Sequence, residues 1–354
     1  MTSFGAESSA SIWIKRLALA GLLLCFVVVV LGAYVRLSAA GLGCPDWPGC
    51  YGHLTPIGAE QNAAAQAAYP STPLHVGKAW REMIHRYAAS TLGLIIVLIT
   101  ALAITARRQQ LISVPFAVLL LITVVVQGAL GMLTVTWQLK PLIVTLHLLF
   151  GLTTLSLLWW LWLSLRSGGA RGGIRFGGGR SSGGSAYPTH ESPPRRVVLV
   201  GLLALAIQIA LGGWTSSNYA AVACPDFPKC QNSWWPDTDY KDAFVLWRGL
   251  GVNYEGGVLQ HPARVAIHFT HRLGALVAST ALIFAAVVTL RRRRGSSRSR
   301  VAAFAVLGAL ALQLFIGASM VLEGFPLALA TAHNAGAALL VLAAIALFQS
   351  VERA

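Results

Sequence analysis

Charge is the scarcest ingredient of this chain. Only 11% of its 354 residues are Asp, Glu, Lys or Arg, where a soluble protein carries about 25%. That shortage excludes an ordinary water-facing globule. Acids are the rarer sign, with 12 Asp and Glu against 27 Lys and Arg and a formal net charge of +15. The excess of base does not point to nucleic acid. The basic residues sit in short hydrophilic links between apolar runs, the distribution of cytoplasmic loops in a membrane protein. A cleavable leader is not expected. The first apolar run is long and flows into a functional-looking loop, so it reads as a retained anchor.

Apolar residues make up 56% of the chain. They recur in runs of about 20, long enough to cross a bilayer core of about 30 Å. The pattern predicts eight spans: 12–36, 83–105, 112–135, 141–165, 197–216, 264–290, 301–322 and 327–349. Residues 1–11 read as a polar tail. Lys15 and Arg16, Arg107-Arg108 and Arg291-Arg292-Arg293-Arg294 mark the cytoplasmic side, so both termini are expected there. Loops 37–82 and 217–263 then lie outside. Residues 166–196, with six Arg and one acid, Glu191, read as a flexible cytoplasmic linker. The expected fold is an all-α polytopic membrane protein.

The chain also repeats itself. Gly43-Cys44-Pro45-Asp46-Trp47-Pro48-Gly49-Cys50 matches Ala223-Cys224-Pro225-Asp226-Phe227-Pro228-Lys229-Cys230 at an offset of 180 residues. His85-Arg86 matches His271-Arg272, Gln127 matches Gln313 and His147 matches His333, all at an offset of 186. Residues 12–165 and 197–350 are therefore expected to form two pseudo-symmetric four-helix bundles. An even number of spans per unit makes the repeats parallel.

A histidine within a membrane span needs a partner and is a functional-site candidate. His85 and His271 fall in the first turn or two of the second and sixth spans. His147 and His333 lie roughly 10 Å below the outer surface, at about 1.5 Å per residue from Pro141 and Pro326. Facing helices of a four-helix unit can each donate an imidazole to one site, which pairs His85 with His147 and His271 with His333. Two imidazoles suit a haem iron, whose porphyrin fills its other positions. Zinc would want further ligands. The plainer alternative is a set of interhelical hydrogen bonds. Arg86 and Arg272 either pair with haem propionates or snorkel to water.

The repeat breaks three residues before the first histidine, where Glu82 faces His268 across the alignment. A carboxylate at that spacing shares a helix face with His85 and could move protons or stabilise a cationic intermediate. Otherwise it is an interfacial acid paired with Arg81 or Lys78. Of five cysteines, Cys25 reads as inert packing. The Cys44/Cys50 and Cys224/Cys230 pairs lie in outer loops, where disulfides form. An exposed disulfide there is either a redox relay, favoured for Cys44–Cys50, or a staple, favoured for Cys224–Cys230. Gln127 and Gln313, in glycine-bearing stretches, suit helix packing. Many of the tryptophans suit an interfacial belt.

Taken together, the cysteine loop, Glu82-x-x-His85-Arg86, His271-Arg272 and the single His147 and His333 resemble haem A synthase over about residues 12–350. The resemblance implies a multi-pass enzyme of the cell inner membrane that oxidises the C8 methyl of haem O to a formyl group. Two hydroxylations and loss of water would give haem A for terminal oxidases. It implies haem b as cofactor on His271 and His333, haem O as substrate near His85 and His147, Glu82 as the essential acid and Cys44 with Cys50 as the loop pair. The farnesyltransferase that makes haem O, itself poorly soluble, is an expected partner beside membrane lipid; a homo-oligomer stays open. Two alternatives belong to other classes: a di-haem b electron-transfer protein, and a membrane thiol oxidase that passes electrons to quinone.

Overall fold

The computed structural model describes residues 8–109, 111–166, 193–292 and 296–352. Among these, eight helices are long and apolar enough to cross a membrane. They are α1 (Ser9–Leu37), α2 (Val76–Thr105), α3 (Val114–Thr136), α4 (Pro141–Arg166), α5 (Pro193–Ser217), α6 (His261–Leu290), α7 (Ser297–Leu322) and α8 (Leu327–Glu352). The flexible linker expected at 166–196 lies outside the described residues, save for its ends, which close α4 and open α5.

Local chemistry sets the helix ends. Ser8, Ser113 and Ser296 accept hydrogen bonds from the free N–H groups of Ser11, Phe116 and Ser299, the usual service of an N-cap hydroxyl. Ser8 therefore starts α1 inside the stretch expected to be a polar tail. Proline stands in the first turn of α3 and α6, where its missing N–H leaves no bond unmade. Between α7 and α8, Gly324 and Phe325 both take positive φ, 74° and 63°.

One boundary differs in a way that matters. Hydropathy predicts the second span from 83, but α2 begins at Val76. The extra turns, Val76 to Glu82, are too polar to register as membrane, yet Ala79 and Met83 pack against Cys44, Cys50 and Tyr51 of the outer loop. His85 is thus in the third turn of α2, and His271 in the third turn of α6.

In the first half, α1 packs on α2 and α4, and α3 bridges α2 to α4; in the second, α5 packs on α6 and α8, and α7 bridges α6 to α8. Across the halves α1 meets α8, α4 meets α5, and α4 meets α8. Ile14, Ile96, Leu120, Leu155 and Leu158 centre one apolar core; Leu282, Val306, Leu340 and Leu347 centre the other. Leu94, Val125, Leu276 and Phe304 are exposed, as lipid-facing residues should be.

Polar contacts tie the halves together. The Trp159 indole donates to the Leu342 carbonyl at 2.9 Å. Arg36 donates to the Ser216 carbonyl at 2.8 Å and lies 4.1 Å over the Tyr219 ring. Lys140 is only 1% exposed. Its ammonium donates to the Arg248 and Gly249 carbonyls at 2.5 and 3.3 Å and sits 3.3 Å over Trp247. A turn of the first half thereby holds the long loop of the second. A hydrogen bond to a charged group contributes about 1.5–3 kcal/mol. Lys140→Met should lower the thermal unfolding midpoint in detergent and speed proteolysis around residues 245–252, with helix content unchanged by circular dichroism.

Candidate functional site

Each of the four intramembrane histidines sits against a glycine of a neighbouring helix. A Cβ built on Gly32 (α1) would lie 2.9 Å from Cε1 of His85, and one on Gly131 (α3) 3.2 Å from that of His147. In the second half, a Cβ on Gly212 (α5) would lie 3.1 Å from His271 and one on Gly317 (α7) 2.9 Å from His333. Real Cβ contacts rarely come so close, so a larger residue would have to displace the ring. These glycines repeat at the same offsets, 180 and 186, as the motifs they serve. Sequence spacing marks Gly131 and Gly317 only as helix-packing residues; their work as seats for imidazoles needs the third dimension.

His85 and His147 lie within electrostatic reach of each other, as do His271 and His333. The Nδ1 atoms of His85 and His147 are buried, and the backbones of Val28 and Gln127 offer these rings hydrogen-bond partners. Among the described residues no three His, Cys, Asp or Glu side chains gather as a metal cluster. A donor set of two imidazoles suits a metal that brings its other ligands with it, as haem does, and is too small for a structural zinc site. The cradled, part-buried rings therefore fit a haem in each half.

Above each pair an arginine holds a cysteine loop. Arg86 Nη1 donates to the carbonyls of Asp46, Pro48 and Gly49 at 3.0, 3.2 and 2.5 Å. Arg272 donates to those of Lys229 and Cys224 at 2.7 and 2.9 Å. Neither guanidinium simply snorkels; each is a clamp. Within the loops Asp46 accepts from the N–H groups of Tyr51 and Gly52 at 2.6 and 2.7 Å, and Asp226 from those of Gln231 and Asn232 at 2.7 and 2.9 Å. Burial works to raise the Asp226 carboxyl, but the N–H bonds outweigh it and hold the group below its usual range.

Both cysteine pairs are disulfides, with Cα separations of 4.8 Å for Cys44–Cys50 and 4.7 Å for Cys224–Cys230. The expectation of exposed disulfides is corrected here. All four cysteines are buried, because the loop folds back on its helix and the aspartate and arginine close it from two sides.

Glu82 belongs to this clamp. It is 4% exposed. Its Oε2 accepts from the Cys44 N–H at 2.9 Å, and its Oε1 is bonded by Arg86 Nη2 at 2.5 Å. The alternative partners Arg81 and Lys78 are not the ones used; Arg81 turns to the Gly77 carbonyl. In the second half His268, also 4% exposed, stands in place of Glu82, and Arg272 Nε lies 3.3 Å from its Nε2. The same clamp is thus built once with an ion pair and once with an imidazole.

Eight apolar helices with duplicated histidines and disulfide loops define a multi-pass membrane protein. The chain belongs to the cytochrome oxidase assembly protein family, whose model matches residues 15–345. It is similar to the haem A synthase of Shewanella oneidensis, 40% identical over 331 residues that cover 93% of each chain. It is also similar to those of Rhizorhabdus wittichii, 27% identical over 342 residues (90% of this chain, 88% of the relative), and Paracoccus denitrificans, 28% identical over 372 residues (99% and 88%).

The clamp makes a measurable claim about the loops. Removing charged hydrogen bonds worth about 1.5–3 kcal/mol should raise local opening about 10- to 100-fold. Arg86→Gln should therefore speed dithiothreitol reduction of Cys44–Cys50, and Arg272→Gln that of Cys224–Cys230, by a similar factor. Alkylation and mass analysis of each pair reads the rates.

Proposed function

We propose that this chain is a haem A synthase that oxidises the C8 methyl of haem O to a formyl group by successive hydroxylation. The observation that carries the reading is a duplicated site with one broken position: both halves hold an imidazole pair under an arginine-clamped disulfide loop, and only the first adds a buried carboxylate, Glu82, where the second has His268. The family and its relatives support the same activity.

In this reading residues 12–165 form the substrate half and residues 197–350 the cofactor half. His85 and His147 would hold haem O, and His271 and His333 would hold haem b. Bound haem b supplies one-electron transfer. Converting a methyl to a formyl group adds one oxygen atom to the carbon and takes electrons and protons from it, so an oxygen donor (water or dioxygen) and an electron acceptor must be supplied to the enzyme. Glu82, held at both oxygens about one helical turn from His85, takes up a proton or stabilises positive charge at the reacting carbon. Arg86 and Arg272 would meet haem propionates by exchanging a loop carbonyl for a carboxylate, the stronger acceptor for a guanidinium. Cys44–Cys50 adjoins Glu82 and is the pair through which thiol chemistry would reach the substrate half. The basic links support a topology with both termini in the cytoplasm and the loops outside. Haem O, poorly soluble, would arrive within the membrane from the farnesyltransferase that makes it.

Expression in a host that makes haem O but lacks its own haem A synthase tests the reading, with extracted haems weighed by mass spectrometry. Haem A should appear only with the gene; haem b alone, with haem O unchanged, would replace the synthase with an electron-transfer protein. Glu82→Gln keeps the size of the side chain but removes its charge, and should lower haem A formation about 100-fold or more, the scale of general acid–base contributions. Gly317→Val pushes a methyl-bearing carbon into His333 and should abolish retention of haem b in the purified protein, measured by its Soret absorbance.

A further inference from the structure

We infer that both cysteine loops are seated in the interface of the bilayer, so that their tips bind lipid instead of standing in water. The partner is the phospholipid of the leaflet that the loops face, whichever haem either half carries.

The loops expose large apolar side chains at positions that the repeat makes equivalent. Trp47 and Phe227 stand between the two prolines of each loop, and both are exposed. Cys50 then pairs with His53, and Cys230 with Ser233, in a single β-bridge. The next residues are Leu54, 80% exposed, and Trp234, 65% exposed, followed in the second half by Trp235, 77% exposed. The side chains differ between the halves, yet both positions stay large and apolar. Charge is missing around them. From Trp47 to Ala59 there is no Asp, Glu, Lys or Arg, and from Phe227 to Pro236 only Lys229 carries charge. The loop aspartates, Asp46 and Asp226, turn inward to loop N–H groups. Exposed apolar patches of this kind mark an interaction surface.

Their placement identifies the partner as lipid. Consecutive residues of a helix point about 100° apart. On α2, His85 turns to Gly32 of α1, Arg86 to the loop carbonyls, and Tyr87 outward. Tyr87 joins Ile84 and Leu94 in an exposed stripe at helical spacing, the lipid-facing side of the span. The Tyr87 hydroxyl donates to the Leu54 carbonyl, so the loop tip lies against that stripe. The short helix Pro56–Glu60, which carries the exposed Ile57, also packs on α2. On α6 the Trp235 ring sits edge-on to Phe269, with centroids 5.4 Å apart. Phe269 stands one turn before Leu273, which begins an exposed stripe with Leu276 and Val277. In each half the exposed tip is thus continuous with a lipid-facing stripe.

Depth agrees with this placement. Val76 to Glu82 are too polar for the membrane, and Tyr87 lies about 7 Å of helical rise beyond Glu82. An interfacial layer is roughly 5–7 Å thick on each side of the hydrocarbon. Irregular backbone is excluded from lipid-exposed hydrocarbon but not from that layer. Tryptophan and tyrosine favour it, and lysine reaches water from it; Nζ of Lys229 lies 5.9 Å over the Trp234 ring. Each loop then fills the seam between the bilayer and its imidazole pair, the border that a membrane-borne ligand crosses.

Nitroxide labelling of the full-length chain, in nanodiscs of phosphatidylcholine and phosphatidylglycerol, provides the test. Leu54→Cys and Trp234→Cys are each labelled in a Cys25→Ala background, with mass analysis to verify that both disulfides persist. Molecular oxygen concentrates in lipid, and a soluble nickel chelate stays in water. The oxygen-to-nickel accessibility ratio at positions 54 and 234 should exceed that of a label at Ser71→Cys, in the loop ahead of the polar turns of α2, several-fold, and approach that at Leu94→Cys. A ratio at either tip equal to that at position 71 would overturn the inference. So would low accessibility to both reagents, which would mean that protein, a second copy or another part of this chain, covers the tip. Tryptophan emission decides the matter if a labelled variant does not fold. The emission lost on combining Trp234→Phe with Trp235→Phe should be quenched in bilayers of lipid brominated on the acyl chain near the headgroup. Emission insensitive to brominated lipid would overturn the inference, while leaving the synthase reading intact.

Discussion

An imidazole in the hydrocarbon layer costs free energy unless its nitrogens find partners and its ring finds space. This bundle provides the space four times, always with a glycine on the facing helix. The glycines let α1 approach α2, α3 approach α4, α5 approach α6 and α7 approach α8 closely enough to enclose a ring. Helix pairs that bury apolar side chains in lipid gain little from the hydrophobic effect, so close approach and interhelical hydrogen bonds carry more of the association. The contacts that seat the histidines are thus also contacts that hold the bundle together.

The cysteine loops extend the same logic beyond the helices. A disulfide, an aspartate bonding two N–H groups, and an arginine from the helix below make each loop a compact cap. Because the arginine follows directly after a histidine, loop and ring are held by adjacent residues of one helix. In the first half Glu82 joins the cap through both the Cys44 N–H and Arg86. A change in that loop would therefore be felt at the carboxylate and, one turn on, at His85.

Duplication explains the common frame and divergence explains the chemistry. Glu82 against His268 changes the charge beside the clamp, and Val28 against Gln208 changes the side chain that neighbours an imidazole. Each difference lies within contact of a feature that both halves share. The two halves can then differ in chemistry with no change of fold.

Hydropathy and spacing by themselves determined the eight spans, the repeat and the four histidines, because span length and motif offset are one-dimensional quantities. Glu82 was legible for the same reason: it breaks a repeat. The start of α2 was not, since Val76 to Glu82 is too polar to read as membrane and is helical because it packs on the cysteine loop. Nor were the burial of the disulfides, the arginine clamps or the partner of Glu82, which depend on a loop folding back over residues some 40 positions distant. The glycine seats stood in the sequence at the repeat offsets, but a glycine among many apolar residues carries no sign of what faces it. Gln208 lacked even an offset to mark it, as its counterpart is Val28. Only the packing of α5 on α6 brings its amide to His271, because which side chains meet between helices is decided by rotation and approach.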